Sequence, residues 1–188
     1  MTTPAKLHDA WASLLAYPDE TGSIFAARAL FDLDEQSVTG AELLGPFREF
    51  FATEEIAGRE ELFTRTFDGS DDCALEVGWH LHGENYARGA LMVRLRKLLG
   101  ELDLFETSEL PDHLGVVLGL VGRLDEERGG ALARGIVLPA LKKLLEGFED
   151  STNPYCCVLH GMQRFLAEFH SADDSSAGVL PSERSSSQ

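Results

Sequence analysis

The sequence predicts an all-α fold, a single-domain bundle of about eight helices, and two observations carry this prediction. Apolar residues recur at spacings of three and four in segment after segment, which is the period of a helix with one buried face. No segment shows the alternation typical of a half-buried strand. With 188 residues and 44% hydrophobic content, the chain can bury a core without disulfides. We expect this domain to occupy residues 1–170.

Four amphipathic helices are predicted in the first part of the chain. The first should end before Tyr17-Pro18, and Thr53 is placed to cap the fourth. The polar run 68–73 then predicts a loop. The residues assigned to the four buried faces are Leu7, Trp11, Leu14 and Leu15; Ile24, Phe25, Leu30 and Phe31; Leu43, Leu44, Phe47, Phe50 and Phe51; and Ile56, Leu62, Phe63 and Phe67.

Two helices are predicted in the middle of the chain. A long helix is expected from Glu76 to Leu99, because Leu91, Leu95 and Leu98 give its later turns an apolar face. The next helix should be capped by Ser108 and carry Pro111 in its first turn, where the missing N–H costs little. Its buried face is assigned to Leu114, Val117, Leu118, Val121 and Leu124.

Two further helices and a tail complete the chain. The run EERGG at 126–130 predicts a break, and Pro139 should kink or divide the helix that follows. Asn153-Pro154 predicts the start of the last helix. From Ser171 onward the sequence is Ser-rich with almost no apolar residues, so residues 171–188 are expected to form a disordered tail.

The charge balance restricts the classes of partner. Thirty-two acidic residues oppose sixteen basic ones, a net charge of −16 that is spread along the chain. Such a charge repels nucleic acids, whose binding depends on phosphate neutralisation, and it repels anionic membrane surfaces. It favours basic partners, although solubility alone also accounts for it.

Targeting signals and cysteines indicate a cytoplasmic protein. No run approaches the roughly 18 apolar residues of a membrane span. The N-terminus lacks the basic and apolar regions of a signal peptide. The three cysteines include the adjacent pair Cys156-Cys157, which is not a disulfide framework and agrees with a reducing compartment.

A first polar motif, His80–Gly89, interrupts the long predicted helix. His80 and His82 are two residues apart, so on a regular helix they cannot face one metal. Glu84 and Arg88 have the i, i+4 spacing of a helix ion pair. Gly83 and Gly89 each cost a helix about 1 kcal/mol, which indicates a bend or the close approach of another backbone.

A second polar motif, Glu109–His113, begins the next helix. Asp112 in a first turn would complement the helix dipole, while His113 has no comparable local reason. A short connection makes the two helices antiparallel neighbours, which leaves Asp112 roughly 16 Å from Arg88. Direct contact is therefore expected only if Gly83 or Gly89 bends the helix. Glu84→Gln, Asp112→Asn and His113→Ala should weaken function and leave stability nearly unchanged.

Motifs of the common enzyme classes are absent, and two general alternatives stay open. The sequence contains no GxSxG, P-loop, dinucleotide fingerprint or CxxC. A metal- or haem-dependent enzyme could use His80, His82, His113 and Cys156-Cys157. A generic helical adaptor would also suit the composition, but it leaves both polar motifs unexplained.

Taken together, the motifs resemble the NarJ type of molybdoenzyme maturation chaperone within the TorD-like family. Glu61–Asp68 resembles a YxxLFD-like helix, and Leu14–Asp19 matches LLxYPD. Glu109–Leu114 matches ELPDHLPxxL, with Gly115 in place of the second proline. The segment HxHGExxxRGxAM is matched by His80, His82, Gly83, Glu84, Arg88, Gly89, Ala90 and Leu91-Met92. The resemblance covers roughly residues 7 to 170.

The resemblance implies an all-α, non-catalytic, cytoplasmic protein. Members bind the N-terminal leader of an apo molybdoenzyme catalytic subunit, often with a twin-arginine motif, until molybdopterin guanine dinucleotide is inserted. No permanently bound cofactor or metal is implied, and cofactor biosynthesis proteins are open as further partners. The client is nitrate reductase or a related dimethyl sulfide, selenate, chlorate or hydrocarbon-oxidising enzyme, since Trp79 and Tyr86 differ from the nitrate reductase version. The residues expected to bind client are Trp79, His80, His82, Glu84, Tyr86, Arg88, Asp112 and His113.

Overall fold

The computed structural model describes residues 3–69, 71–104, 109–148 and 152–171, and it confirms the all-α prediction. The helices are α1 (Pro4–Ser13), α2 (Glu20–Glu35), α3 (Gly45–Thr53), α4 (Ile56–Phe63), α5 (Val77–His82), α6 (Tyr86–Glu101), α7 (Leu114–Val121), α8 (Glu126–Leu132), α9 (Leu138–Glu146) and α10 (Pro154–Phe169). A π-helical turn, Thr64–Asp68, continues α4, and a second, Ala133–Val137, joins α8 to α9. The predicted cap Ser108 and residues 172–188 of the predicted tail lie outside the described ranges.

One apolar core holds these helices together. α1 packs against α2 and α7, and α10 packs against α3 and α9. Tyr155, at the start of α10, is fully buried and touches the rings of Phe47, Phe63 and Phe67. Burial raises the pKa of the Tyr155 phenol above its ordinary value. The aromatic cluster therefore ties α3, α4 and the following π-helical turn to the last helix.

Two helix starts follow the local sequence chemistry. Asp19 accepts a hydrogen bond from the Gly22 N–H at 2.7 Å and begins α2 directly after Tyr17-Pro18. Asn153 accepts one from the Tyr155 N–H at 3.0 Å, so the predicted start at Asn153-Pro154 is confirmed. Both side chains satisfy a donor that the first helical turn leaves unpaired.

The buried face of α2 was assigned wrongly. Ile24, Phe25 and Phe31 are exposed, and of the four assigned residues only Leu30 is buried. The face that packs inward carries mainly small residues and Leu33, which allow close approach to the neighbouring helix. The prediction placed the largest apolar side chains in the core, whereas the helix packs mainly through its small side chains.

Three further local predictions can be compared with the structure. Thr53 is not the cap of α4, because it ends α3 and donates its hydroxyl to the Glu49 carbonyl at 2.8 Å. The run 126–130 is not a break, because it lies within α8, capped by Asp125. Pro139 does not divide its helix, because the helical backbone continues from α8 through the π-helical turn Ala133–Val137 into α9.

No helix among the described residues is both long and apolar enough to span a membrane. The longest, α2, α6 and α10, have 16 residues each within the described ranges.

Candidate functional site

The long helix predicted from Glu76 to Leu99 is divided at Gly83. α5 ends at His82, and Gly83 adopts φ +63° and ψ −158°, a conformation essentially restricted to glycine. Asn85 then starts α6 by accepting a hydrogen bond from the Ala87 N–H at 2.7 Å. Glu84 lies in the turn between the helices, so the predicted i, i+4 helix pair with Arg88 is not formed.

The turn at Gly83 allows the two polar motifs to meet. The Arg88 guanidinium donates to the Asp112 carboxylate, with 2.8 Å between Nε and Oδ2. A straight helix would have separated them, so the bend on which contact was conditional does occur. Gly78 makes room for the pair, because a Cβ there would lie 2.5 Å from the Asp112 carboxylate. The hydrogen bond to Asp112 is the main reason that the pKa of Arg88 is raised.

Asp112 is fully buried and lies in a turn instead of a helix, because the His113 N–H donates to the Leu110 carbonyl at 2.9 Å. Its carbonyl accepts the Val77 N–H at 2.8 Å, and the Leu114 N–H donates to the Leu75 carbonyl at 2.8 Å. An antiparallel bridge pairs Glu76 with His113 between these bonds. The prediction that Pro111 and Asp112 lie in a first helical turn was therefore wrong. Because Asp112 does not reach the surface, it can affect a bound client only through its neighbours.

His113 has a local structural role that the sequence did not reveal. Its Nδ1 accepts a hydrogen bond from the Gly115 N–H at 3.1 Å and caps α7. Burial lowers the pKa of the ring below its ordinary value, against the opposing effects of Glu109, Glu76 and Asp112. The neutral ring thus uses Nδ1 as an acceptor and keeps its proton on Nε2. Histidine is not among the preferred capping residues, which explains why the role was missed.

A groove of about 550 Å³ opens beside His113. It is formed by the end of α1 and the residues after it, α4 with its π-helical turn, the bridge segment and the start of α7. Apolar and small side chains line most of it, and three acidic residues lie along it. The residues that line it are Ala12, Leu15, Ala16, Tyr17, Phe63, Phe67, Asp68, Leu75, Glu76, Glu109, His113, Gly115 and Val116.

The π-helical turn Thr64–Asp68 shapes one wall of the groove. A π turn inserts an extra residue into the helical spiral, so it changes the direction of the side chains that follow. Here it carries Phe67 and Asp68, both of which line the groove. Asn153 fixes the turn by donating its side-chain amide to the Thr66 hydroxyl at 2.8 Å. The start of α10 therefore supports the wall as well as the core.

His80, the first residue of the first polar motif, faces a different, polar cavity of about 490 Å³. Trp79 and His80 line it together with Lys143 and the acidic residues Asp71, Asp72 and Glu146. His80 Nε2 donates to the Ala74 carbonyl at 2.7 Å, and the His80 carbonyl accepts from Lys143 at 2.8 Å. The Arg88 guanidinium lies 5.7 Å from the Trp79 ring centroid.

The remaining predicted site residues lie between these features. The His82 carbonyl accepts a hydrogen bond from the Asn85 side chain, and Glu84 and Tyr86 are exposed. A third cavity, of about 650 Å³, is lined by Arg65, Thr66 and the segment around Asn153, and by neither polar motif. The structure therefore joins the motifs through Arg88 and Asp112 but places Trp79 and His80 apart from the groove.

A comparison with family models identifies the family. The model described as nitrate reductase delta subunit matches residues 34–159, which include both polar motifs and the π-helical turn. The chain belongs to this family. The resemblance read from the motifs is therefore confirmed, and family membership indicates a nitrate reductase assembly chaperone. No curated protein sequence matches the chain.

The alternative of a metal- or haem-dependent enzyme finds no assembled site in the described part of this family member. No group of three or more His, Cys, Asp or Glu residues in those ranges is placed to hold a metal. His80 and His113 each bind the backbone through one ring nitrogen. Burial raises the pKa of the Cys157 thiol, which disfavours the thiolate that metals bind.

Most groove residues were missing from the predicted site of this delta subunit family member. Tyr17 and Asp68 stand in segments whose resemblance to the family was noted, so that resemblance could have located them. Leu75 and Val116 carry no such signal, because they look like ordinary core residues in the sequence. They become groove residues only because helices from distant parts of the chain leave a gap between them.

Proposed function

We propose that this member of the nitrate reductase delta subunit family binds the N-terminal leader of an apo catalytic subunit in the groove beside His113. The observation that carries the proposal is the composition of the groove: apolar walls with carboxylates along the same opening. An amphipathic basic segment complements both properties, since its apolar side chains enter the groove while its cations face the acids.

The apolar walls should supply most of the affinity. Tyr17, which is 47% exposed, and the half-buried Ala12 and Val116 offer surface that an apolar anchor can cover. The buried side chains Phe63, Phe67 and Leu75 lie behind them. Exposed ion pairs to Asp68 or Glu76 contribute only about 0–1 kcal/mol each. We expect micromolar binding, about −8 kcal/mol, which permits release once maturation is complete.

The chaperone acts in the cytoplasm and holds the apo subunit until its molybdenum cofactor is inserted. The cofactor is cargo of the client and is not bound permanently by the chaperone. We do not propose that the chaperone contacts the pyrophosphate of the cofactor. The three acidic residues that line the cavity beside Trp79 and His80 would repel its negative charge. The client is nitrate reductase or a related molybdoenzyme, and cofactor biosynthesis proteins join at the apo subunit.

Titration calorimetry with the leader peptide of the candidate catalytic subunit tests the proposal. Ala16 lines the groove, so Ala16→Phe should fill part of it and weaken leader binding about tenfold or more, the loss of one apolar anchor. Ala131→Phe places the same ring on the exposed face of α8 and should leave binding unchanged. Circular dichroism of both variants checks that they fold.

Salt provides a second readout in the same experiment. Binding should weaken moderately as salt is raised, because part of the attraction to the carboxylates is screened. The proposal fails if neither the leader nor the intact apo subunit binds the wild-type protein. It also fails if Ala16→Phe and Ala131→Phe bind the leader equally well.

A further inference from the structure

A pair of buried histidines joins α1 to the end of α10. His8, on α1, is fully buried, and His170, which follows the last residue of α10, is 7% exposed. The Nε2 atoms of the two rings lie 3.0 Å apart, which is a hydrogen-bond distance. The His8 ring also meets the rings of Phe165 and Phe169 edge-on, with 5.1 and 5.3 Å between centroids. Aromatic side chains of α10 therefore enclose the pair.

The hydrogen bonds around the pair leave room for one proton between the two rings. Nδ1 of His8 lies 2.7 Å from the Pro4 carbonyl oxygen, which can only accept, so this nitrogen carries a proton. In the neutral ring Nε2 of His8 is then an acceptor, and the Nε2–H of His170 donates to it. If both Nε2 atoms carry protons, two N–H groups face each other and the hydrogen bond is lost.

The surroundings disfavour a positive charge on either ring. Burial lowers the pKa of His8 and Arg123 adds to this, against the opposing effects of the backbone hydrogen bond and of Asp9. Both oxygens of Asp9 are already bound by Arg123, at 2.6 and 2.7 Å. Burial, and then the charges of His8 and Arg134, lower the pKa of His170 to about 4. Arg134 is held close because it donates to the His170 carbonyl at 2.8 Å.

The last turn of α10 has one buried side chain. Of residues 167–170, only His170 is buried, and Phe169 is 43% exposed. A cavity of about 320 Å³ lies beside this turn, and Glu168 and Thr39, which share an exposed hydrogen bond of 2.8 Å, both line it. A turn with little buried surface and a solvent-exposed hydrogen bond opens at a lower cost than the rest of its helix. The contact of His170 with α1 is therefore the main buried anchor of this turn.

We propose that the His8–His170 pair is a pH-sensitive clasp, which holds the last turn of α10 on α1 while both rings are neutral and releases this turn on acidification. In the released state both rings are hydrated and have the ordinary histidine pKa of about 6.5. The released state therefore binds more protons than the held state between about pH 6.5 and pH 4, so acid shifts the equilibrium toward release. Above pH 7 both rings are neutral and the clasp is closed.

Amide hydrogen exchange of the full chain, corrected for the intrinsic effect of pH on exchange, tests the clasp. Between pH 7.5 and pH 5.0, protection of residues 167–170 should fall about tenfold or more relative to residues 158–162 in the middle of α10, because protonation favours release over this range. The variant His8→Gln/His170→Gln should lose this difference, since neither position titrates. His160→Gln, an exposed change on the same helix, is the matched control and should behave like wild type.

Nuclear magnetic resonance of the ring nitrogens of the wild-type protein gives a second readout that needs no variant. At pH 7.5, His8 should carry its proton on Nδ1 and His170 should carry its proton on Nε2. The proposal is wrong if both rings titrate near pH 6.5 in the folded protein, or if the double variant keeps the pH-dependent loss of protection. It is also wrong if acid lowers protection equally along α10. None of these results depends on leader binding, since neither ring lines the groove beside His113.

Discussion

The groove beside His113 and the cavity beside His80 are close in the fold and differ in kind. The bridge segment lines the groove with Leu75 and Glu76, and α5, which follows it directly, lines the cavity with Trp79 and His80. The groove is mainly apolar with carboxylates along it, whereas the cavity is lined by charged and polar groups. The two sequence motifs therefore have different roles despite their similar composition. The second motif lines the groove in which we propose that the leader binds, and the first forms the turn and contributes Arg88 to the ion pair with Asp112.

The largest expected effect tests the supporting role of the first motif. Asp112→Ala removes the buried partner of Arg88 and should lower the free energy of unfolding by about 3 kcal/mol, since breaking a buried pair leaves a charge without compensation. This replaces the sequence-based expectation that a change at Asp112 spares stability, because the side chain is fully buried. Urea denaturation measures the loss.

The exposed pair between Arg123 and Asp9, 2.6 Å apart, is the matched comparison. Asp9→Ala should cost only about 0–1 kcal/mol, because both side chains are partly solvated. If Asp9→Ala and Asp112→Ala lower the free energy of unfolding equally, burial of the Arg88–Asp112 pair adds nothing to stability. The pair would then not support the fold as assigned.

The next effect separates the two glycines of the first motif. Gly83→Ala should destabilise the protein by about 1–3 kcal/mol, because its positive φ is strained for any residue with a Cβ. Gly89→Ala lies within α6 with no atom within 4 Å of a new Cβ, so it should stabilise by about 0.5–1 kcal/mol. Thermal unfolding of both variants gives the two signs. A loss of stability in Gly89→Ala as well would indicate that Gly89 is needed for packing.

A smaller effect separates the two roles of His113. His113→Ala removes the cap of α7 and should cost about 1 kcal/mol, whereas His113→Asn keeps a capping oxygen and should cost little. Both variants remove the ring from the groove, so both should weaken leader binding to a similar extent. If His113→Asn binds the leader like wild type, the His113 ring serves only as the cap of α7 and does not contribute to leader binding.

The glycines show which helix boundaries could be predicted from the sequence and which could not. Helix α1 followed from apolar spacing and α10 from apolar spacing with the capping residue Asn153, because their structure is set by neighbours in sequence. Gly83 breaks a helix that was predicted to continue, while Gly129 and Gly130 continue a helix that was predicted to break. A Cβ at Gly129 would lie 2.8 Å from the Val121 carbonyl, so there glycine allows close packing. Local composition does not distinguish these two uses.

The candidate site was predictable only in part for the same reason. His113 and the pairing partners Arg88 and Asp112 were singled out, but their contact depends on the turn at Gly83. The groove draws on residues from Ala12 to Val116, and its apolar members have ordinary core patterns. Sequence reasoning located the polar motifs, and the fold decided which of them line a surface.

Photo-crosslinking tests the location of the client site most directly. A leader peptide that carries a photoreactive phenylalanine analogue at an apolar anchor position is irradiated with the wild-type protein, and the linked residues are identified by mass spectrometry. Links are expected to Ala12, Tyr17 and Val116, which line the groove and are not buried, and these links should be lost in Ala16→Phe. Links concentrated at Trp79, His80 and Lys143 instead would contradict the proposed location, because the leader would then occupy the polar cavity.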